Sequence, residues 1–137
     1  MTHYRMIPLA LAAILPAVAI AQGAGLAASS GVYTAEQAAR GQTQFSAHCA
    51  SCHGEDMNGI DVAPALTGST FSSNWKGQTV GALSTRIRTT MPLDNPGSLG
   101  AATVADVSAY ILSKNGYPAG KTELAKEPSA QQQIKLD

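Results

Sequence analysis

The chain has two cysteines, and a histidine follows the second directly: Cys49-Ala50-Ser51-Cys52-His53. Three chemistries use such a group. The first is covalent haem attachment, in which both thiols add to porphyrin vinyl groups and His53 becomes an iron ligand. The spacing has a physical reason. Two sulfurs must reach two vinyl groups on one porphyrin edge while the imidazole sits under the iron, and a short turn before His53 allows both. The second is a redox-active or structural disulfide, but thioredoxin-like pairs follow a strand and none is predicted before Cys49. The third is structural zinc, which needs four ligands, whereas Cys49 and Cys52 have only His48 and His53 beside them and no second cysteine pair. The motif favours haem, and the disulfide and zinc stand as alternatives.

A haem also accounts for the stretch after the motif. Gly54, Gly59, Pro64, Gly68 and Gly77 punctuate the chain as far as Gly81, and it reads there as loop with at most short turns. So long a loop normally counts against a compact domain. The objection fades if the loop wraps a large apolar cofactor. Aromatic residues make up only 5 % of the chain, and a core of about 85 residues with so few large side chains is marginal alone.

Helices flank this loop. Thr34 offers an N-cap hydroxyl, and Gln37 three residues on suits a capping box. Glu36 in the first turn complements the helix dipole. The first helix is expected to reach about Ala47, with Ala38, Gly41 and Phe45 on one face. A second is expected over Thr79–Thr89, with Val80, Leu83 and Ile87 along one side. A third covers Ala101–Lys114, with Val104, Val107, Tyr110 and Ile111 as its stripe, ended by Asn115-Gly116 with Pro118 beyond.

The ends are read separately. Residues 1–21 resemble a signal peptide: Arg5 in a short n-region, an apolar run over 7–20, and small residues before a cleavage after Ala21. A membrane-spanning helix needs roughly 20 apolar residues, and this run is shorter. Export to the periplasm is expected, without stable membrane insertion after cleavage. Residues 22–30 are rich in Gly, Ala and Ser and read as a flexible leader. Residues 31–118 form the domain. Residues 119–137 carry Leu124, Ile134 and Leu136 without a strong period and read as an extended or mobile tail. Nine basic residues balance nine acidic ones, with no Lys/Arg run, so nothing points to a nucleic-acid partner.

Beyond the cysteine motif and Gly54, the chain carries Ala63-Pro64-Ala65-Leu66-Thr67-Gly68, Met91-Pro92 and Asn115-Gly116-Tyr117-Pro118-Ala119-Gly120. On these residues it resembles the class I c-type cytochromes over roughly Tyr33 to Gly120. More narrowly, it is similar to small single-haem cytochromes that serve PQQ-dependent alcohol and sugar dehydrogenases. The resemblance implies an all-α cytochrome c fold, a few helices and long loops around one haem c held by Cys49 and Cys52. It implies His53 and a methionine thioether as iron ligands. Met57 is tethered four residues from His53, a span of at most about 14 Å, and would have to circle the porphyrin edge. Met91, 38 residues on and followed by Pro92, matches the family's Met-Pro element and is the expected sixth ligand. The alternative is ordinary packing of Met91, with an open iron.

The resemblance further implies that the Pro64 carbonyl accepts from the His53 ring N–H, that Trp75 reaches a haem propionate, and that a Gly41–Tyr110 crossing joins the first and last helices. Arg88 is a candidate propionate partner, with a solvated helix charge as the alternative. His48 is expected in solvent and Met57 on the surface or lining a pocket. The implied function is a periplasmic one-electron carrier rather than an enzyme. Its expected partners are a quinoprotein dehydrogenase and a terminal oxidase or other acceptor. The rivals are a peroxidase-like haem enzyme with a labile sixth position, and an assembly protein held by a disulfide.

Overall fold

The computed structural model describes residues 25–137; the expected signal peptide lies outside them. Six helices carry the fold: α1 (Ala35–His48), α2 (Ala50–His53), α3 (Gly68–Trp75), α4 (Val80–Thr90), α5 (Ala101–Lys114) and α6 (Pro128–Gln131). Two short strands, β1 (Leu26–Ala27) and β2 (Ile134–Lys135), pair in parallel with Leu26 opposite Ile134. The architecture is all-α with this one small clasp. No helix among the described residues is long and apolar enough to cross a membrane.

The helix starts are set by their caps. Thr34 Oγ1 accepts from the Gln37 amide at 3.2 Å, and Thr79 Oγ1 accepts from the Ala82 amide at 3.0 Å; each such cap is worth about 1 kcal/mol. Gly100 caps α5 without a side-chain bond. Gln37 does not close the expected capping box. Its buried amide reaches across the molecule, donating to the Leu124 carbonyl at 3.0 Å and accepting from the Leu124 amide at 2.7 Å. A buried peptide satisfied on both sides outweighs a local cap, because leaving such groups unpaired costs about 1–3 kcal/mol each.

Helices α1 and α5 form the main crossing. Gly41 makes it possible. A Cβ there would lie on the Asp106 carbonyl and 2.9 Å from the Tyr110 Cβ. Phe45 meets Tyr110 edge to face at 5.7 Å between centroids, worth about 1 kcal/mol beyond burial. Helix α4 packs on α5 through Leu83 and Ile87. A buried hydrogen bond between Ser84 and Ser108, 2.9 Å long, satisfies both hydroxyls there.

Two expectations are corrected. The stretch 54–81 contains a two-turn helix, α3, whose Phe71 is buried in the core. Ser, Thr and Asn fill α3, so the sequence shows little helical propensity there, and packing of Phe71 and Trp75 decides. Residues 25–30 and 119–137 are likewise neither flexible leader nor free tail. The tail runs back over α1 and α4, and Leu124, Ile134 and Leu136 bury beside Ala28, Tyr33, Val80 and Leu112. Leu136 is bonded on both sides by residues ahead of α4: the Gly77 amide donates to its carbonyl at 2.7 Å, and its amide donates to the Gln78 carbonyl at 2.9 Å. Gly81 admits α6, since a Cβ there would meet Gln132 at 2.7 Å.

Candidate functional site

The cysteine motif begins where α1 ends. The Cys49 amide still donates to Phe45, at 2.8 Å, and the His53 amide donates to Cys49, at 2.9 Å, so α2 succeeds α1 after a single-residue break. One turn of helix thus presents two thiols and the imidazole. No disulfide joins Cys49 and Cys52. Cys52 is exposed and Cys49 half-buried, with its pKa pushed up to about 11, first by burial and then by the neighbouring Cys52. A redox-active pair needs a depressed thiol pKa; burial here works the other way.

His53 is 8 % exposed. Its Nδ1 lies 3.0 Å from the Pro64 carbonyl oxygen. A carbonyl only accepts, so Nδ1 carries the proton and Nε2 keeps its lone pair. This is the arrangement by which an outer partner fixes the tautomer of a metal-ligating histidine.

The loop from 54 to 66 is folded tightly behind this ring. The Gly59 amide donates to the His53 carbonyl at 2.8 Å and the Ile60 amide to the Cys52 carbonyl at 3.0 Å. Gly54, Met57, Gly59 and Asp61 all adopt positive φ. At Gly59 a side chain also lacks space: a Cβ would collide with the Ala63 carbonyl oxygen and lie 3.0 Å from Ala65 and Pro64 backbone atoms. Such unfavourable backbone concentrated in one loop marks a position held by its surroundings. Asn115, at the end of α5, holds the far side. It donates to the Leu66 carbonyl at 2.9 Å and accepts from the Gly68 amide at 3.2 Å. No periodic signal announces that role; only its presence in the 115–120 motif hints at it.

The remaining candidates divide between the site and its surroundings. Met91 caps the C-terminus of α4 and packs, partly buried, on the same apolar cluster as Cys49. Met57 is fully buried in that cluster, not on the surface. Trp75 packs between this cluster and the one under the tail. Arg88 lies on α4, three residues before Met91. It lines a small crevice with Ser84, Val104 and the tail residues Lys126 and Gln131. His48 is exposed at the end of α1.

This donor set fits a covalently held haem: two thiols and an imidazole nitrogen on one turn, and a thioether on the shared apolar cluster. Fold and site together define a c-type cytochrome. The model of the family described as "Cytochrome C oxidase, cbb3-type, subunit III" matches residues 36–111, more than half of the chain, and the chain belongs to that family. Among solved structures, it is similar to a chain of the sulfane dehydrogenase SoxCD from Paracoccus pantotrophus. The TM-score is 0.58 at 20 % identity, and the match covers 80 % of this chain and 62 % of that one. At that identity the likeness speaks for the fold. A comparison with curated proteins finds none that matches. Family membership implies covalent haem c and haem-based electron transfer.

Proposed function

We propose that the chain is an exported one-electron carrier with His53 and Met91 as axial ligands, and not itself a catalyst. The observation that carries this reading is the His53–Pro64 bond. It fixes the ring so that Nε2 is the free donor, within the turn that presents Cys49 and Cys52.

When bound, a haem supplies a ferrous/ferric couple at a single iron. The protein's part is to hold that couple still and keep it dry. Cys49 and Cys52 anchor it on α2. The Pro64 carbonyl, by accepting a hydrogen bond from Nδ1–H, would strengthen His53 as a donor at Nε2. Phe45, Met57, Leu83 and Ile87, buried in the same cluster, would exclude water from it. Met91 would hold the iron opposite His53, and a thioether there would favour the ferrous state, raise the potential and leave no open position for substrate or oxygen. The apolar surroundings act in the same direction, since they penalise the more charged ferric form.

The motif set at 63–68, 91–92 and 115–120 supports a periplasmic quinoprotein dehydrogenase as electron donor. Stopped-flow mixing of the oxidised holoprotein with reduced quinoprotein dehydrogenases tests this. Rapid reduction at micromolar partner is the expected result. Indifference to all of them, with normal reduction by dithionite, would leave a carrier for another donor. Rapid cyanide or carbon monoxide binding at neutral pH would instead indicate an open sixth position and a haem enzyme.

A further inference from the structure

We propose that the loops around the cysteine pair form a docking face for a redox protein that presents an apolar centre ringed by lysine or arginine. The inference rests on the electron-transfer reading and adds the chemistry of the partner.

Exposed apolar side chains come first. Among the described residues four large hydrophobic side chains are exposed; Leu26, at 57 %, lies on β1 beside the tail, and the other three are Val62 at 96 %, Leu93 at 75 % and Ile60 at 48 %. All three belong to loops that carry the site. The Ile60 amide donates to the Cys52 carbonyl, Val62 lies two residues before Pro64, and Leu93 lies two residues after Met91. Both loops reach one apolar cluster: Met57 is buried in it, and Cys49 and Met91 pack against it. Exposed apolar side chains gathered on the loops of one site fit a contact with a partner.

Charge then selects the partner. Residues 41–75 and 89–113 contain five acids and no lysine or arginine. Asp106 among them is taken up by Arg40, whose Nε lies 3.1 Å away. The other four, Glu55, Asp56, Asp61 and Asp94, are exposed on the same loops as Ile60, Val62 and Leu93. Apart from Arg5 and Arg40, every base lies in 76–88 or 114–135. Arg88 shares its crevice with Lys126, and Lys76 acts on Asp137 beside the tail. A chain without net charge is thus divided into an acidic, apolar site face and a basic tail side. Complementary charge steers encounter and fixes orientation, and a short-lived electron-transfer contact needs only a small patch.

The test uses the ferrous holoprotein and two one-electron oxidants of equal and opposite charge. Tris(phenanthroline)cobalt(III) and ferricyanide each take one electron from the protein, with no proton moved. Raising ionic strength from about 10 mM to 0.3 M should slow the cobalt reaction roughly fivefold and speed the ferricyanide reaction. The double variant Asp61→Lys/Asp94→Lys should flatten or invert both slopes, while Glu127→Lys on the tail side leaves them unchanged. Amide shifts on adding a lysine-rich c-type cytochrome should centre on Ile60, Val62 and Leu93. Slopes untouched by the double variant, slopes shifted equally by Glu127→Lys, or shifts confined to 119–137 would each overturn the docking face. Absence of a covalent pyridine haemochrome would overturn the parent reading, and this one with it. A normal haemochrome with the wrong slopes overturns the docking face alone.

Discussion

Two apolar clusters lie on either side of α5, and they are closed by different means. Val104, Val107, Tyr110 and Ile111 face the cluster shared by Cys49, Met57 and Met91. Ala109 and Leu112 face the cluster beneath the tail. The tail-side cluster is sealed by protein alone: β1 pairs with β2, Gln37 grips both polar groups of Leu124, and Leu136 is bonded at both ends. The site-side cluster is bounded by loops with positive φ, an exposed thiol and exposed aliphatic side chains. One region is built to stay shut; the other presents chemistry at its edge. The tail side is held by bonds between segments far apart in sequence, and the site loop by bonds to His53, Cys52 and Asn115, which keep its unfavourable backbone in place.

The largest effect is expected where the two regions share a support. At Gly41 a side chain would collide with the Asp106 carbonyl of α5, with Ala38 of the same helix on the tail side and Phe45 on the site side. Gly41→Val should cost about 3 kcal/mol or more by overpacking, seen as a lower urea midpoint together with loss of haem attachment. A variant that keeps both would show that the crossing does not couple the clusters.

Leu136→Ala acts on the tail side only. Truncating a fully buried leucine should cost about 3 kcal/mol, measured by thermal unfolding. The holoprotein's visible spectrum at room temperature should not change, and a spectrum that shifts would blur the division. Gln37→Ala leaves the Leu124 amide and carbonyl unpaired and should cost about 2 kcal/mol. Hydrogen exchange is expected to speed up across 120–137 before it does in α5.

The smallest effect concerns pH. Hydrogen bonds from the Ser29 hydroxyl and amide hold the Asp137 carboxyl below its ordinary value of 3.8. A depressed folded pKa stabilises the paired state above the ordinary value and loses that contribution as pH falls through the folded one. Proteolytic release of the tail should therefore rise below about pH 4 and be nearly flat from pH 5 to 8. Equal release in Ser29→Ala and parent at pH 6 would remove Asp137 from the closure.

The site side is largely legible in the sequence because its signals are local. Cys49, Cys52 and His53 sit within one turn, Thr34 and Thr79 cap the helices that begin just after them, and the stripes of α4 and α5 repeat at three and four residues. Pro64 is reachable only through the family motif, since the loop that brings it to His53 depends on backbone at Gly59 and Met57 that no periodicity encodes. The tail side is hidden for the opposite reason. Leu124, Ile134 and Leu136 have no common period, and their partners, Gln37, Leu26 and Gln78, are far away in sequence. Gln37 misleads because a residue three positions past a cap suits both a local bond and a distant one. The spacing of Arg88 on α4 does not reveal the tail residues Lys126 and Gln131 that share its crevice.

The proposed ligation of the iron by His53 and Met91 is tested most directly by the near-infrared spectrum of the oxidised holoprotein. A sulfur-to-iron charge-transfer band is expected in the parent protein. It should disappear in Met91→Ala, with the covalent pyridine haemochrome signal unchanged. A band that survives the substitution, or a parent protein without one, would contradict His53/Met91 ligation.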